Sequence, residues 1–152
     1  MTSSLCLEPI TSQNVGAACK LKVRPDQEDL VAPVAWSLAE AYANPEIAWP
    51  RLVRDGDDLV GFVMGAFDPQ SPVEAFRCGI WRLNIAADCQ GRGYGRFAVE
   101  SVLAEARRRG QDRATVLWVP GKHGPQDFYL KLGFRPTGDV MDDQIVGEIL
   151  LA

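Results

Sequence analysis

Histidine is nearly missing from this chain of 152 residues: His123 stands alone, beside four scattered cysteines, Cys6, Cys19, Cys78 and Cys89. No two cysteines form C-x-x-C, and the spacings match no zinc pattern, so no metal site is expected and a Ser-His-Asp triad is disfavoured. Reduced structural thiols are the default for these cysteines. Cys89 has a second reading, because it precedes a glycine-rich segment where a helix N-terminus would lower a thiol pKa. No apolar run approaches the length of a membrane span. The opening Met1-Thr2-Ser3-Ser4 has no basic segment leading into an apolar one, so a soluble, cytoplasmic protein is expected, with no membrane partner. Excess positive charge is also absent. Sixteen Lys and Arg against twenty Asp and Glu give a net charge of −4, which disfavours a nucleic-acid partner. The short run Arg107-Arg108-Arg109 falls where a helix should end, and cations there complement the helix dipole.

The chain is otherwise ordinary in balance, 47% hydrophobic and 24% charged, and its length suits a single domain over 1–152 with one core. Period and punctuation predict alternating elements. Leu5, Leu7 and Pro9 mark a strand, and Ser12 is a candidate cap for a helix over 14–22. Ser37 and Glu40 have the spacing of a capping box for a second helix, with Ala39, Tyr42 and Ala43 on its inner face, ended by Asn44-Pro45. Strands follow at 49–54 and 59–67 around Asp55-Gly56-Asp57-Asp58, a hairpin signal. A long strand is expected over 75–86, with Phe76, Cys78, Ile80 and Arg82 alternating against Trp81, Leu83 and Ile85. Val99, Val102, Leu103 and Ala106 give the major helix, 93–109, one apolar face. A buried strand at 114–119, a short helix opened by Pro125 and ended by Gly133, and strands from Phe134 and over 145–151 complete a mixed α/β pattern.

The segment Gln90-Gly91-Arg92-Gly93-Tyr94-Gly95 lies between the apolar Trp81–Ala86 and the major helix. A strand, a glycine turn and a helix start together make an anion seat. The first helical turn leaves backbone N–H groups unpaired, the dipole adds positive charge, and glycines let a phosphate come close. The glycines recur every second residue, which is not G-x-G-x-x-G, and no Lys-Ser or Lys-Thr follows for a Walker loop. On these residues alone, a pyrophosphate seat and a plain strand-to-helix connection both stand.

The same segment resembles the Q/R-x-x-G-x-G/A motif of the GNAT superfamily of acetyl-coenzyme A-dependent N-acetyltransferases. About thirty residues later Phe128-Tyr129-Leu130-Lys131-Leu132-Gly133-Phe134 resembles that family's second hallmark, a helix carrying a Tyr and ending in Gly-Phe. The resemblance implies a mixed, mostly antiparallel sheet of about six to seven strands flanked by about four helices. It also implies acetyl transfer from acetyl-coenzyme A to a primary amine, most readily a small-molecule polyamine, with a drug, an amino acid or a protein N-terminus as other acceptors. A non-catalytic acyl-coenzyme A-binding module is the alternative to an enzyme, and the resemblance allows a homodimer. Carried over motif to motif, the backbone N–H groups of Gln90, Gly91, Arg92, Gly93, Tyr94, Gly95 and Arg96 would meet the pyrophosphate, with Arg92 or Arg96 adding charge. Leu83, Asn84 and Ile85 would pair with the pantetheine arm as an added strand. Tyr129 would lie near the cofactor sulfur as general acid or hydrogen-bond donor. The sequence departs from the family at Lys122 and Pro125, where many members carry Asn and Ala.

An aliphatic amine is mostly charged at neutral pH and must lose a proton before it attacks. A carboxylate, a backbone carbonyl or a water chain could take it. Glu40 and Glu28 rank first among the carboxylates and Glu74 after them, because the first two helices of this superfamily border the acceptor. Within the superfamily the whole chain most resembles the bacterial branch acting on spermidine, spermine and diamines, through Leu30-Val31-Ala32-Pro33, Ser37–Tyr42 and Val119-Pro120-Gly121. Many members of that branch carry Asn at the position of Val34. Trp36, Tyr42 and Trp81 could offer aromatic faces to a cationic chain, and Asp26, Glu28, Asp29, Asp142 and Asp143 could offer carboxylates along a groove.

Overall fold

A computed structural model describes residues 4–151. Seven strands form one sheet in the order β1-β2-β3-β4-β5-β7-β6. In chain order they are β1 (Leu5–Pro9), β2 (Ala48–Asp55), β3 (Asp58–Phe67), β4 (Cys78–Ile85), β5 (Arg113–Trp118), β6 (Arg135–Met141) and β7 (Gln144–Leu150). All neighbours pair antiparallel except β4 and β5. The four helices are α1 (Val15–Lys20), α2 (Val34–Ala43), α3 (Tyr94–Arg108) and α4 (Gln126–Leu132), with short 3₁₀ turns at Pro25–Gln27, Glu74–Phe76 and Ala87–Cys89. The expected sheet and helix numbers hold. Among the described residues no helix is long and apolar enough to cross a membrane.

The sheet separates two apolar clusters. On one face Val99, Val102, Leu103 and Ala106 of α3 pack with Val63, Ile80, Val116, Trp118 and Tyr129. On the other, Leu52, Phe62 and Met64 pack with Ala18 of α1 and Val34 of α2. The expected face of α3 is therefore the buried one.

Three local expectations change. Ser12 does not cap α1; Asn14 stands there, and its side chain accepts the Thr11 N–H at 2.8 Å and donates to the Pro9 carbonyl at 2.9 Å. Helix α2 begins three residues before Ser37, after Pro33, whose fixed φ suits a helix start. Ser37 is therefore inside the helix and buried, and no capping box forms; Tyr42 lies on the outer face, 89% exposed, and Ala39 and Ala43 are exposed with it. The long strand over 75–86 is shorter, because residues 74–76 turn before it.

Strand β4 also carries one extra residue. Met64 faces Arg82 while Gly65 faces Ile80, which leaves Trp81 in a bulge. Side-chain alternation therefore slips at that point. Ile80, Leu83 and Ile85 join the α3 face, while Trp81 packs on the α2 face. Arg82 and Asn84 also reach that second side, contacting Glu40 and Ala32. The simple alternation expected for Arg82 fails for this reason.

Candidate active site

Strands β4 and β5 pair only at Gly79 with Thr115 and Ile80 with Val116. A Cβ on Gly79 would lie 2.2 Å from the Thr115 carbonyl oxygen, so this contact needs glycine. Beyond Ile80 the strands separate. The backbone edge of β4 from Trp81 onward has no strand partner on the β5 side among the described residues. Such an edge can pair with an extended, amide-bearing ligand.

The gap leads into a cavity of about 1080 Å³ lined by residues of β4, β5, α3, α4 and the segment 23–33 that joins α1 to α2. The residues 90–96 form one wall. Gly91 and Gly93 have φ of 80° and 85°, the left-handed region that favours glycine, and nothing lies within 4 Å of where their Cβ atoms would be. Gly93 caps α3, so the unpaired N–H groups of a fifteen-residue helix open at this loop. The residues fit a pyrophosphate with a pantetheine arm beside it. The cavity is lined by Leu83, Ile85, Gln90, Gly91, Gly93, Tyr94, Gly95 and Arg96. Arg92 and Asn84 are not on its wall. Arg92 interacts with Tyr94 and Asp55 instead. The Tyr94 hydroxyl donates to Asp55 at 2.5 Å, and Ser4 donates to the other Asp55 oxygen. The Ser4 hydroxyl first, and Tyr94 second, hold the Asp55 carboxyl below its ordinary range. Asp55 in turn raises the Tyr94 phenol. The first turn of α3 is thereby tied to the β2–β3 hairpin.

Tyr129 lies across the cavity, one turn into α4, with its ring 5% exposed. It stacks on Trp118 at 5.7 Å between centroids and meets Phe128 and Phe134 edge-on at 4.9 and 5.6 Å. These contacts fix the ring. Its hydroxyl makes no hydrogen bond among the described residues. Burial pushes the phenol pKa well above its ordinary value, so the group stays protonated at any physiological pH. Pro125 stands at the cap of α4, and its carbonyl accepts the Tyr129 N–H at 3.1 Å. Lys122, His123 and Pro125 all line the cavity.

The carboxylate candidates separate. Glu28, with Asp26 and Asp29, lines the cavity. Glu40 does not; it accepts from Arg82 Nη2 at 2.7 Å, and the Arg82 guanidinium is the group that reaches the wall. Glu74 is exposed and lies 3.9 Å from Arg113, away from the site. Trp81 lines the cavity, whereas Trp36 and Tyr42 sit 64% and 89% exposed on the outer side of α2. Asp142 and Asp143 form the β6–β7 turn at φ 50° and 61°, and only the neighbouring Gln144 reaches the wall. The Cys89 thiol pKa is raised, by burial first and Asp88 next, not lowered as a helix N-terminus would make it. Sequence reasoning passed over Arg82, Gln27 and Gln144 as cavity residues. A lone cation inside an apolar strand was a readable signal for Arg82; nothing in the sequence marks Gln27.

Comparison with known proteins supplies the family. Residues 17–134 match the model of the Acetyltransferase (GNAT) family. None of the curated proteins matches this sequence. An acetyltransferase from Thermus thermophilus superposes with a TM-score of 0.72 at 22% identity, covering 97% of both chains. The ribosomal-protein-S18-alanine N-acetyltransferase from Escherichia coli gives 0.68 at 16% identity, over 97% of this chain and 94% of that one. The PaiA N-acetyltransferase from Thermoplasma acidophilum, solved with coenzyme A, gives 0.71 at 11% identity, over 97% of this chain and 99% of that one. At these identities the structures speak for the fold. The family match spans most of the chain, so the chain belongs to the GNAT acetyltransferase family and is an N-acetyltransferase that draws on acetyl-coenzyme A.

Proposed function

We propose that this GNAT acetyltransferase moves the acetyl group of acetyl-coenzyme A to a primary amine of a cationic small molecule, a polyamine such as spermidine or spermine. The observation that carries the reading is the polarity of the cavity. Asp26, Glu28 and Asp29 line it on the α1–α2 segment, while Arg96, Lys122 and Lys131 line it on α3, α4 and the loop before α4. Arg24 engages Asp26 at 3.3 Å and Glu40 engages Arg82, which leaves Glu28 and Asp29 without an ion pair among the described residues. A polycationic acceptor suits the acidic wall, and phosphates suit the basic one.

In this reading Leu83, Asn84 and Ile85 offer their main chain to the pantetheine arm. Gln90 to Arg96 offer N–H groups to the pyrophosphate, the contribution of Asn84 and Arg92 being through the backbone alone. Tyr129 donates a proton or hydrogen bond to the departing thiolate; its raised pKa suits a donor that must stay neutral until the thiolate forms. Glu28 takes the amine proton, directly or through water, and is placed better for this than Glu40, whose carboxylate orients Arg82.

Release of coenzyme A thiol, followed colorimetrically over a panel of amines, tests the proposal. Spermidine and spermine should turn over faster than neutral amines. Glu28→Gln should cut the rate at neutral pH and shift the rate rise toward the amine's own pKa. A second reading has one observation behind it: the Arg82 guanidinium on the wall would suit an acceptor bearing a carboxylate. Amino acids and peptide N-termini therefore form the second arm of the panel, and turnover confined to them would replace the polyamine.

A further inference from the structure

The segment 23–33, which brings Asp26, Glu28 and Asp29 to the cavity, hangs from the cofactor side of the site at three points. The Ala87 N–H donates to the Lys22 carbonyl at 2.8 Å, just before the segment. The Asn84 amide donates to the Ala32 carbonyl at 3.0 Å near its end. Between them, the carboxamides of Gln27 and Gln90 pair reciprocally. Gln27 Nε2 donates to Gln90 Oε1 at 3.0 Å, and Gln90 Nε2 donates to Gln27 Oε1 at 2.5 Å. Gln90 Nε2 also reaches the Ile85 carbonyl at 3.1 Å, and Gln27 Oε1 accepts the Arg24 N–H at 3.3 Å. The three anchors fall at Asn84, Ala87 and Gln90, in the stretch that joins the backbone proposed for pantetheine, 83–85, to that proposed for pyrophosphate, 90–96.

A paired carboxamide is a demanding contact. Each partner must both donate and accept, so only Asn or Gln can complete it, and only at one separation. Gln90 therefore has two jobs on two sets of atoms: its main chain opens the phosphate loop, and its side chain holds the middle of the acidic segment. From this geometry we infer that Gln27 is a positioning residue for the acceptor, clasped to Gln90 so that a filled phosphate seat fixes Glu28 and Asp29. The inference rests on the acetyl-transfer reading above. Cofactor binding immobilises Gln90, Gln90 immobilises Gln27, and the acceptor then meets an ordered wall. By linkage, the acceptor strengthens cofactor binding through the same pair.

Hydrogen exchange on the whole protein, with and without coenzyme A, tests this. The amides to follow are those of Gln27, Glu28 and Leu30, which bond to the carbonyls of Arg24, Pro25 and Gln27. Coenzyme A should slow exchange over 90–96 and over 23–33 in the natural protein. In Gln27→Ala it should slow only 90–96. Kinetically, that variant should lower kcat/KM for the acceptor about tenfold, the loss of one hydrogen-bonded pair, with coenzyme A affinity in the absence of acceptor within about twofold. Gln27→Glu keeps the acceptor oxygen and loses the donor, so it should fall between the two, and it serves if the alanine variant does not fold. Equal slowing over 23–33 in Gln27→Ala, or none there in the natural protein while 90–96 responds, overturns the inference alone. No slowing over 90–96 in the natural protein overturns the cofactor assignment, and the inference with it.

Discussion

Replacing Tyr129 with Phe removes one oxygen from a side chain whose packing and chemistry can be separated. The ring is held by Trp118, Phe128 and Phe134, and Phe keeps all three contacts. The hydroxyl has no hydrogen-bond partner among the described residues, so its loss strands no buried donor or acceptor. Stability should therefore change by less than about 0.5 kcal/mol. Tyr129→Ala, by contrast, opens a cavity in the α3–α4 side of the core and should cost about 3–5 kcal/mol. Activity should behave in the opposite way. A proton donor to the departing group typically contributes roughly 10²–10⁴-fold, or about 3–5 kcal/mol of transition-state stabilisation. Tyr129→Phe should lose that factor in kcat while calorimetry finds coenzyme A bound as before. The pH profile adds a check. Burial holds the phenol neutral past its ordinary pKa, so the rising limb of rate against pH belongs to the amine and its base and should persist in the variant. Thiol release by Tyr129→Phe within about threefold of the natural protein, at saturating acetyl-coenzyme A, would refute the assignment of the donor.

Alkaline unfolding should show a step from Cys78, whose thiol is pushed from 9.0 up to about 11 by burial. Its folded pKa lies above its unfolded one, so the contribution is complete below pH 9 and drains between 9 and 11, on the order of 2 kcal/mol. Urea midpoints of Cys78→Ala against pH should lack that step, and an unchanged slope in the variant would refute it. Gly93→Ala, at φ 85° in open space, should lose about 1–2 kcal/mol of stability from left-handed strain. If the proposed phosphate seat is here, its KM for acetyl-coenzyme A should rise by more than tenfold, because the methyl would stand in that seat; a stability loss with unaltered KM would remove the seat from this loop. Gly79→Ala should cost several kcal/mol, because its methyl would meet the Thr115 backbone at 2.2 Å. A urea midpoint close to that of the natural protein would show that β4 and β5 can part without penalty. Asp143→Gly, at φ 61° in the β6–β7 turn, should gain about 0.5–1 kcal/mol in the same assay.

The parts of the fold that were legible in the sequence are those set by local rules. The period of α3, the hairpin at Asp55–Asp58 and the strands around them appear within two or three residues of their expected limits. The glycine turn ahead of α3 was legible because its motif is short and local. What escaped depended on distance. Ser37 and Glu40 have the spacing of a cap, yet Pro33 starts the helix earlier. Ser37 is then buried, and Glu40 turns to a cation forty-two residues away. The Gln27–Gln90 pair spans sixty-three residues. No window of sequence contains both partners, and a glutamine in a polar loop has no local signature.

One inserted residue in β4 explains much of the site's layout. Without the bulge at Trp81, strict alternation would place Arg82 beside Ile80, against α3, where an unpaired guanidinium would enter an apolar cluster at a cost of several kcal/mol. With it, Arg82 crosses to α2, where Glu40 neutralises it, and Asn84 follows to anchor Ala32. Leu83 and Ile85 take the opposite side and rejoin the core. The same bulge falls at the point where pairing with β5 stops, and an extra unpaired residue increases local twist. The unpaired edge of β4, the Arg82 guanidinium on the cavity wall and the Asn84 anchor of the segment 23–33 therefore all lie at or just past this bulge. Substitutions of the Trp81 side chain should be far milder than deletion of the residue, because the extra backbone unit sets which face every later residue of β4 presents.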